Sequence, residues 1–520
     1  MKFFINLKKT ISIAFAVIML LILFDVLVVQ NFVDQFAKKN FPLPNFCLLL
    51  IGGAFVVLLS FAGVQCYNRF RARLDLWICR KTVIVCSVLL FALQLFIAYH
   101  IYFLTGWDAG LIGGNAMHLA NGVPLDMAYY SQYPNNIFLT FVYAFILKIN
   151  QLITVEASFF SIVIVQCLLS AVVAYLVYSV TFEFTKNKPL SFFAFLLYAI
   201  FVGLSPWFVI PYSDASGILF PLAIFKLWQM AHSAASKYKG YILYALMGLL
   251  AFVGYKIKPQ IAIVFIAVVL ICIIKAFFVS VKEKRVLFAL SKISVSVLAF
   301  LIGTVGFSLI LNANDIFQLD SEREFGIPHF LMMGLNEESQ GVWNENDVAY
   351  SASFATTEER NAANLEVVKQ RIEQYGFVGM TEHIAKKTLV NFGDGTFAWE
   401  VEGNFYQTVY PPKDEIISPF LQSFYYSSGE NYSWFLASSQ TIWLISLFLS
   451  LFAILYIWKH NSKGTELAVL LLSLLGLILF ETLFEARARY LFTYVPIFII
   501  CAVIGLYMIL KIVKAKGEKT

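Results

Sequence analysis

Several short segments set ionisable side chains at the ends of apolar runs, where a charge is costly and each is a candidate for chemistry. In Trp107-Asp108-Ala-Gly110, the Asp108 carboxylate suits a base that takes a proton from a hydroxyl nucleophile, or a cap on the following helix. The run Leu125-Asp126-Met-Ala-Tyr-Tyr-Ser-Gln-Tyr133-Pro-Asn-Asn136 poses the same choice for Asp126. Its rings, Tyr133 among them, suit sugar stacking and an interfacial belt alike. In Pro206-Trp-Phe-Val-Ile-Pro-Tyr212-Ser-Asp214, Tyr212 and Asp214 either face the cavity of Asp108, or Asp214 caps a helix at 214–231. Lys256 and Lys258, in Tyr255-Lys-Ile-Lys-Pro259, call for an anion such as a lipid phosphate, unless they snorkel to the headgroups. Glu481-Thr-Leu-Phe-Glu485-Ala-Arg487-Ala-Arg489-Tyr490 makes a compact charged knot. Its arginine forks match phosphate oxygens, with Glu485 orienting one of them, or form a bridge that staples helix ends. Asp394, between Gly393 and Gly395, suits a tight turn, a calcium-type turn or a substrate contact.

The elements that must position these groups follow from composition. Of 520 residues, 60% are hydrophobic and 13% charged, and mean hydropathy is +0.76. Soluble chains are nearer 45–50% apolar and about 25% charged, so lipid is the solvent for most of this one. The net charge of +6 sits in short loops between apolar runs rather than in a stripe, which argues against nucleic acid as a partner. Seven cysteines, in or beside apolar runs and without a CxxC pair, argue against a disulfide framework or a zinc site.

A bilayer core of about 30 Å needs roughly 20 apolar residues in a helix. Runs of that kind fall near 10–30, 45–65, 82–104, 134–153, 158–181, 190–210, 214–231, 241–256, 259–279, 289–311, 436–458, 465–484 and 489–511. The first is too long for a signal peptide, and no small-residue cleavage site follows it, so it reads as a retained helix. Lys2, Lys8 and Lys9, the Arg69–Lys81 cluster, Lys186, Lys188, Lys237, Lys239, Lys282, Lys284, Arg285, Lys459, Lys463 and the tail lysines 511, 514, 516 and 519 mark cytoplasmic loops and put both termini inside. The basic-free segment 105–133, the turn at 256–258, the stretch 312–435 and the stretch 481–490 then lie outside. Thirteen full crossings would break this pattern. The run 134–153, with Lys148, Asn150 and Gln151, is therefore read as a re-entrant or half-depth helix beside 12 crossings.

The expected fold is thus an all-α polytopic membrane protein of about 12–13 transmembrane helices. Its parts are two N-terminal helices (1–81), a module at 82–311 with outer loop 105–133, an extracytoplasmic domain at 312–435, and three final helices (436–520). Within 312–435, the stretch 357–387 reads as one or two amphipathic helices ending near Gly376 and Asn391. No P-loop, dinucleotide fingerprint, HExxH or GxSxG motif is present.

In order and on one side, Trp107-Asp108, Ala120-Asn-Gly122, Tyr133-Pro134, Lys256/Lys258 and Arg487-Ala-Arg489-Tyr490 with Pro496 resemble the polytopic GT-C glycosyltransferases. The likeness is to the bacterial branch related to protein mannosyltransferases and aminoarabinose transferases. Tyr133-Pro-Asn-Asn136, Gly341-Val-Trp-Asn-Glu-Asn-Asp347 and Gly393-Asp-Gly-Thr-Phe-Ala-Trp399 further resemble Gram-positive membrane proteins of cell-envelope glycosylation. The resemblance implies a membrane glycosyltransferase that takes a sugar from a polyprenyl-phosphate donor outside the cytoplasm. The acceptor would be a hydroxyl of an envelope polymer or lipid-linked glycan. Asp108 would be the base, and Lys256, Lys258, Arg487 and Arg489 would hold the donor phosphate. Asp126, Tyr133, Tyr212, Asp214, Asp394, Glu485 and Tyr490 would make further substrate contacts, with membrane lipids around them. The family often carries two adjacent acids where this chain has Asp108-Ala109, which favours a single base over a metal-binding pair; a divalent cation stays an open alternative. The rival readings are a carrier of lipid-linked sugar and a polysaccharide polymerase. A carrier should need charged or broken helices near the bilayer midplane, whereas these charges gather at outer helix ends.

Overall fold

The computed structural model describes residues 2–29, 41–154, 158–279, 283–313, 318–460 and 463–517. Lys282, Lys519 and the side chains of Lys284, Arg285 and Lys516, used above as topology signals, lie outside the described residues.

Among the described residues the chain is all-α apart from one two-stranded ribbon. Three long helices open it: α1 (Lys2–Val28), α2 (Asn45–Trp77) and α3 (Arg80–Ile101). Strand β1 (Leu104–Thr105) leads into α4 (Trp107–Ala120), α5 (Met127–Gln132) and α6 (Ile137–Thr154). Next come α7 (Phe160–Thr185), α8 (Lys188–Tyr198), the short α9 (Ser213–Gly217), α10 (Leu219–His232), α11 (Lys237–Ile257), α12 (Ala262–Val279) and α13 (Glu283–Asn312). The polar stretch contributes α14 (Ile327–Gly334), α15 (Glu345–Ala352), α16 (Thr357–Phe392), strand β2 (Tyr406–Thr408) and α17 (Ile417–Tyr425). Helices α18 (Tyr432–Ser450), α19 (Ile454–Lys459), α20 (Lys463–Leu483) and α21 (Val495–Gly517) complete the chain.

Among the described residues, eleven helices are long and apolar enough to cross a bilayer. The count is below the expected 12–13 because two runs are shorter than hydropathy suggests. The run 190–210 ends at Gly203, where a π-type turn (Ala199–Gly203) gives way to Ser205-Pro206. The run 214–231 is split into α9 and the 14-residue α10. Pro206 and Pro211 explain the early stop, since proline cannot continue a helix it would interrupt.

Side-chain bonds sort the helix ends into two groups. At one end Lys186 pairs with Glu183 at 2.6 Å, Lys463 reaches Glu466 at 3.2 Å, and Lys188 donates to the Asp75 carbonyl at 2.5 Å. Trp458 donates to Ser12 there, and Tyr456 to the Phe184 carbonyl. At the opposite end Asn45 donates to the Val26 carbonyl, Gln440 to Asn45, and Tyr494 to the Gln260 carbonyl. The basic loops thus collect at one end and the candidate site residues at the other.

Helix α6 does not run between these ends. It starts beside the site, where Phe138 packs at 5.7 Å on Phe252 and at 5.0 Å on Phe307. It finishes against α4, with Gln151 donating to Asn121 at 2.7 Å and Lys148 to the Ala120 carbonyl at 3.1 Å. The next helix begins at the same end, for the Phe160 ring lies 5.4 Å from Tyr102 at the finish of α3. Lys148, Asn150 and Gln151 therefore meet polar partners on α4 and in the turn before α7 rather than hydrocarbon, as a segment of partial depth requires.

The polar stretch is not a detached lobe. Helix α16 bends at Gly376, whose φ of 53° suits a residue without a side chain, and ends by driving Phe392, Phe397 and Trp399 into the core. Three buried indoles fix this entry: Trp207 donates to the Thr396 carbonyl at 3.0 Å, Trp399 to Tyr425 at 2.7 Å, and Trp443 to Phe392 at 2.8 Å. Such bonds add only about 1 kcal/mol each, but an unpaired buried donor would cost about 1–3 kcal/mol, so they specify the register. Strands β1 and β2 then pair antiparallel and tie the far side of the stretch to the start of α4.

In a cysteine-free background, cysteines at Asn121 and Gln151 should take up a membrane-impermeant maleimide from the same side as one at Glu430. A cysteine at Lys186 should label only from the opposite side. Labelling of the Gln151 position with that of Lys186 would mean that α6 crosses.

Candidate functional site

Asp108 lies in the first turn of α4, directly after Trp107, whose φ of 44° is a left-handed backbone that a bulky residue rarely adopts. Gly110 lets this turn close on β1, because a Cβ there would come within 2.6 Å of the Thr105 carbonyl oxygen. No side-chain cap forms at this helix start. Asp108 instead accepts from the Tyr212 hydroxyl at 3.2 Å. Capping is likewise not the role of Asp214, whose carboxylate turns inward from α9.

Asp214 is shared by two cations. Lys258 donates to one oxygen and Arg489 Nη1 to the other at 2.8 Å. Lys258 points inward because Pro259 disfavours helical backbone in the residue before it; φ at Lys258 is −156°, and α11 stops there. Lys256, two residues earlier and still helical, faces the Phe307 ring at 5.5 Å. Arg489 Nε donates to Glu402 Oε2, while Arg487 Nη1 donates to Glu402 Oε1 at 3.0 Å and Arg487 Nε to Glu485 at 2.9 Å. Small buried residues on either side, Ala486 and Ala488, let this strand-like segment run close to the Gly341 carbonyl, which accepts from Ala486 N at 2.7 Å.

Three carboxylates (Asp214, Glu402, Glu485) therefore meet three cations (Lys258, Arg487, Arg489). Asp214 is 1% exposed, Lys258 4% and Arg489 5%, so each takes from its partners the solvation that water would supply. Burial would raise the Glu402 carboxyl, but Arg487 and Arg489 outweigh it and hold it below its ordinary range. Burial lowers Lys258 although Asp214 opposes the shift. Burial also pushes the Tyr212 hydroxyl well up, with Asp108 adding to it, so Tyr212 remains a donor.

Aromatic faces enclose the cations. The Arg489 guanidinium lies 4.8 Å from the Trp107 ring, 4.9 Å from Tyr212 and 5.2 Å from Tyr490, and Lys258 sits 4.2 Å from Tyr490. Tyr212 thus contacts Asp108 through its hydroxyl and Arg489 through its ring. Asp108 itself forms no ion pair among the described residues. On its other side stands Tyr129, which accepts from Asn136 at 2.7 Å and packs 5.4 Å from Tyr133.

The structure thus gathers Asp108, Tyr133, Tyr212, Asp214, Lys258, Glu485, Arg487, Arg489 and Tyr490. Asp126 caps α5, accepting from Ala128 N and Tyr129 N, and is exposed. Asp394 accepts from Thr396 N, Thr396 Oγ1 and Ala398 N within its own turn. Both carboxylates serve local backbone, and Lys256 is turned toward Phe307 rather than toward the knot. Among the described residues there is no group of three or more His, Cys, Asp or Glu that could hold a metal ion.

Two contributors, Glu402 and Lys387, escape sequence reasoning. Glu402 bridges both arginines from a π-type turn (Trp399–Gly403); the signal was an acid set in an apolar, aromatic stretch just past Trp399. Lys387 on α16 donates to the carbonyls of Gly334, Thr482 and Phe484, and burial brings its amine down to about 7. It staples α16 to the end of α20, three residues before the Arg487 strand begins. Glu481, which the sequence already sets in the knot, is buried with neither carboxyl oxygen hydrogen-bonded.

Fold and site together define an all-α polytopic membrane protein with a buried ion-pair cluster at one end of its helical bundle. The chain belongs to the conserved hypothetical integral membrane protein family, whose model matches residues 3–508. No curated protein matches it. Among solved structures it is similar to the archaeal oligosaccharyltransferase AglB from Archaeoglobus fulgidus, in complex with an inhibitory peptide and a dolichol-phosphate. That likeness has 13% identity and a TM-score of 0.42 over 85% of this chain and 52% of the other. The chain spans about half the length of that structure.

Replacing Asp214 by Asn leaves Lys258 and Arg489 short of an anion. Thermal unfolding in detergent should show a loss of about 3–5 kcal/mol, the cost of breaking a buried pair. Asp126→Ala should lose only about 1 kcal/mol, that of a helix cap. An Asp214→Asn variant as stable as the parent would contradict the shared-anion geometry.

Proposed function

We propose that this protein is a glycosyltransferase that moves a sugar from a polyprenyl-phosphate donor to a hydroxyl of a cell-envelope polymer or lipid-linked glycan. The observation that carries the reading is Asp108: Asp214, Glu402 and Glu485 are ion-paired with lysine or arginine and Glu481 is fully buried, while the partly exposed Asp108 contacts the hydroxyls of Tyr212 and Tyr129. An unpaired carboxylate beside a cation cluster is the pairing that glycosyl transfer from a phosphate needs. Asp108 takes the proton from the acceptor hydroxyl, and the freed oxygen attacks the anomeric carbon. The bond from that carbon to the phosphate oxygen breaks, and the added negative charge on the departing phosphate is stabilised by Arg487, Arg489 and Lys258. A single displacement of this kind inverts the anomeric configuration. Trp107, Tyr129 and Tyr133 offer rings on which a pyranose can stack.

The site faces away from the cytoplasm in this reading. Lys8, Lys186, Lys188, Lys459 and Lys463 all gather at the far end of the bundle, and an excess of lysine and arginine marks cytoplasmic loops. The donor's prenyl tail then lies in the outer leaflet beside the helices.

Envelope polymers from cells lacking this chain should be missing one sugar by mass spectrometry. The parent gene should restore it, and an Asp108→Asn variant of equal abundance should not, its rate being down by about 10²–10⁴. Full restoration by Asp108→Asn would remove the proposed base.

A further inference from the structure

The cluster at the site is balanced, three acids against three cations, and a neutral cluster exerts little pull on an anionic donor. Resting on the reading above, we infer that Glu402 is a displaceable counter-ion: its carboxylate and the donor phosphate compete for the same two guanidinium forks, and donor binding exchanges Glu402 out.

The geometry singles out Glu402 among the three acids. Each of its oxygens takes a different arginine, Oε1 that of Arg487 and Oε2 that of Arg489. Two oxygens of one tetrahedral phosphate bridge a pair of guanidinium groups in the same fashion. Asp214 is locked between Lys258 and Arg489 on the buried α9, and Glu485 touches Arg487 alone, from two residues away on the same strand.

Glu402 is also carried by a segment with a strained backbone. The two residues before its turn, Phe397 and Ala398, have φ of 58° and 61°, a left-handed backbone that non-glycine residues hold at a cost. The turn itself is of the π type, a form that is rare and often found at functional sites. Two residues beyond Glu402, the side-chain amide of Asn404 is buried with neither its oxygen nor its nitrogen hydrogen-bonded. The indole nitrogen of Trp107, whose ring faces Arg489, is likewise buried without a partner. Buried polar atoms are rarely left so, and a displaced carboxylate or a phosphate oxygen would supply the missing partners.

The exchange also bears on turnover. The donor is a phosphodiester with one negative charge, and the polyprenyl phosphate left after transfer is a monoester approaching two. The product therefore binds the arginines more strongly than the donor, and a tethered carboxylate at high effective concentration helps to expel it.

Binding of geranylgeranyl phosphate to the full chain in lipid nanodiscs tests this. Glu402→Gln should bind it at least about tenfold more tightly than the parent, while Arg489→Ala weakens binding in either background. In the parent, the same ligand should speed amide hydrogen exchange over 397–405 and slow it over 487–494, which decides the matter even if Glu402→Gln folds poorly. Parent binding with no gain in Glu402→Gln, or with exchange over 397–405 unchanged or slowed, would overturn the counter-ion role and leave the phosphate site standing. Absence of binding by every well-folded variant would overturn both.

Discussion

The structure depends on one buried carboxylate held by two cations. Asp214 brings Lys258, at the end of α11, and Arg489, at the start of the final helix, to a single point. A charge removed from water costs several kcal/mol, and these three groups are tolerated only because each supplies the others' missing solvation. The requirement reaches back into the chain. Pro259 turns Lys258 inward, Pro206 and Pro211 cut short the preceding helix so that α9 can present Asp214, and Ala486 and Ala488 let the arginine strand enter a space too narrow for larger side chains.

Around this point, charge is distributed unevenly in a way that stability alone does not require. The knot of acids and cations is closed on itself, whereas Asp108, joined to it through the Tyr212 hydroxyl, forms no ion pair among the described residues. Tyr212 couples the two, its hydroxyl toward the carboxylate and its ring against the guanidinium. Burial keeps that hydroxyl protonated, so Asp108 faces a donor and remains free to accept a second proton from elsewhere. The long polar stretch is part of the same device: its indole anchors and the β1–β2 ribbon hold the Glu402 turn over the arginines.

Much of this is legible from composition and charge, because both are dominated by the solvent preference of each segment. Apolar runs locate the helices, and Lys148, Asn150 and Gln151 mark the one whose end packs on α4. The placing of Tyr212, Asp214, Lys258 and Arg489 with Asp108 follows from the same side-of-membrane argument. Hydropathy cannot see where a helix is broken to aim a side chain, so it merges α9 with α10 and overestimates the crossings. Nor does type or spacing reveal that Glu402, eighty-odd residues before Arg487 and Arg489, would be brought onto both. That contact is made by tertiary packing of Trp399 and Phe397, and a sequence pattern carries no record of which distant partner an isolated acid will meet. For Asp126 and Asp394 the sequence offers a helix cap and a tight turn among its alternatives, and backbone hydrogen bonds select them.

The account's central claim is that the paired arginines form a phosphate site facing a free carboxylate. A cryo-EM structure of the chain in nanodiscs with geranylgeranyl phosphate tests it most directly. The phosphate should lie between Arg487 and Arg489, with Lys258 still on Asp214 and Asp108 lining the open side. A phosphate found elsewhere, with Glu402 still bridging the two guanidinium groups, would contradict it.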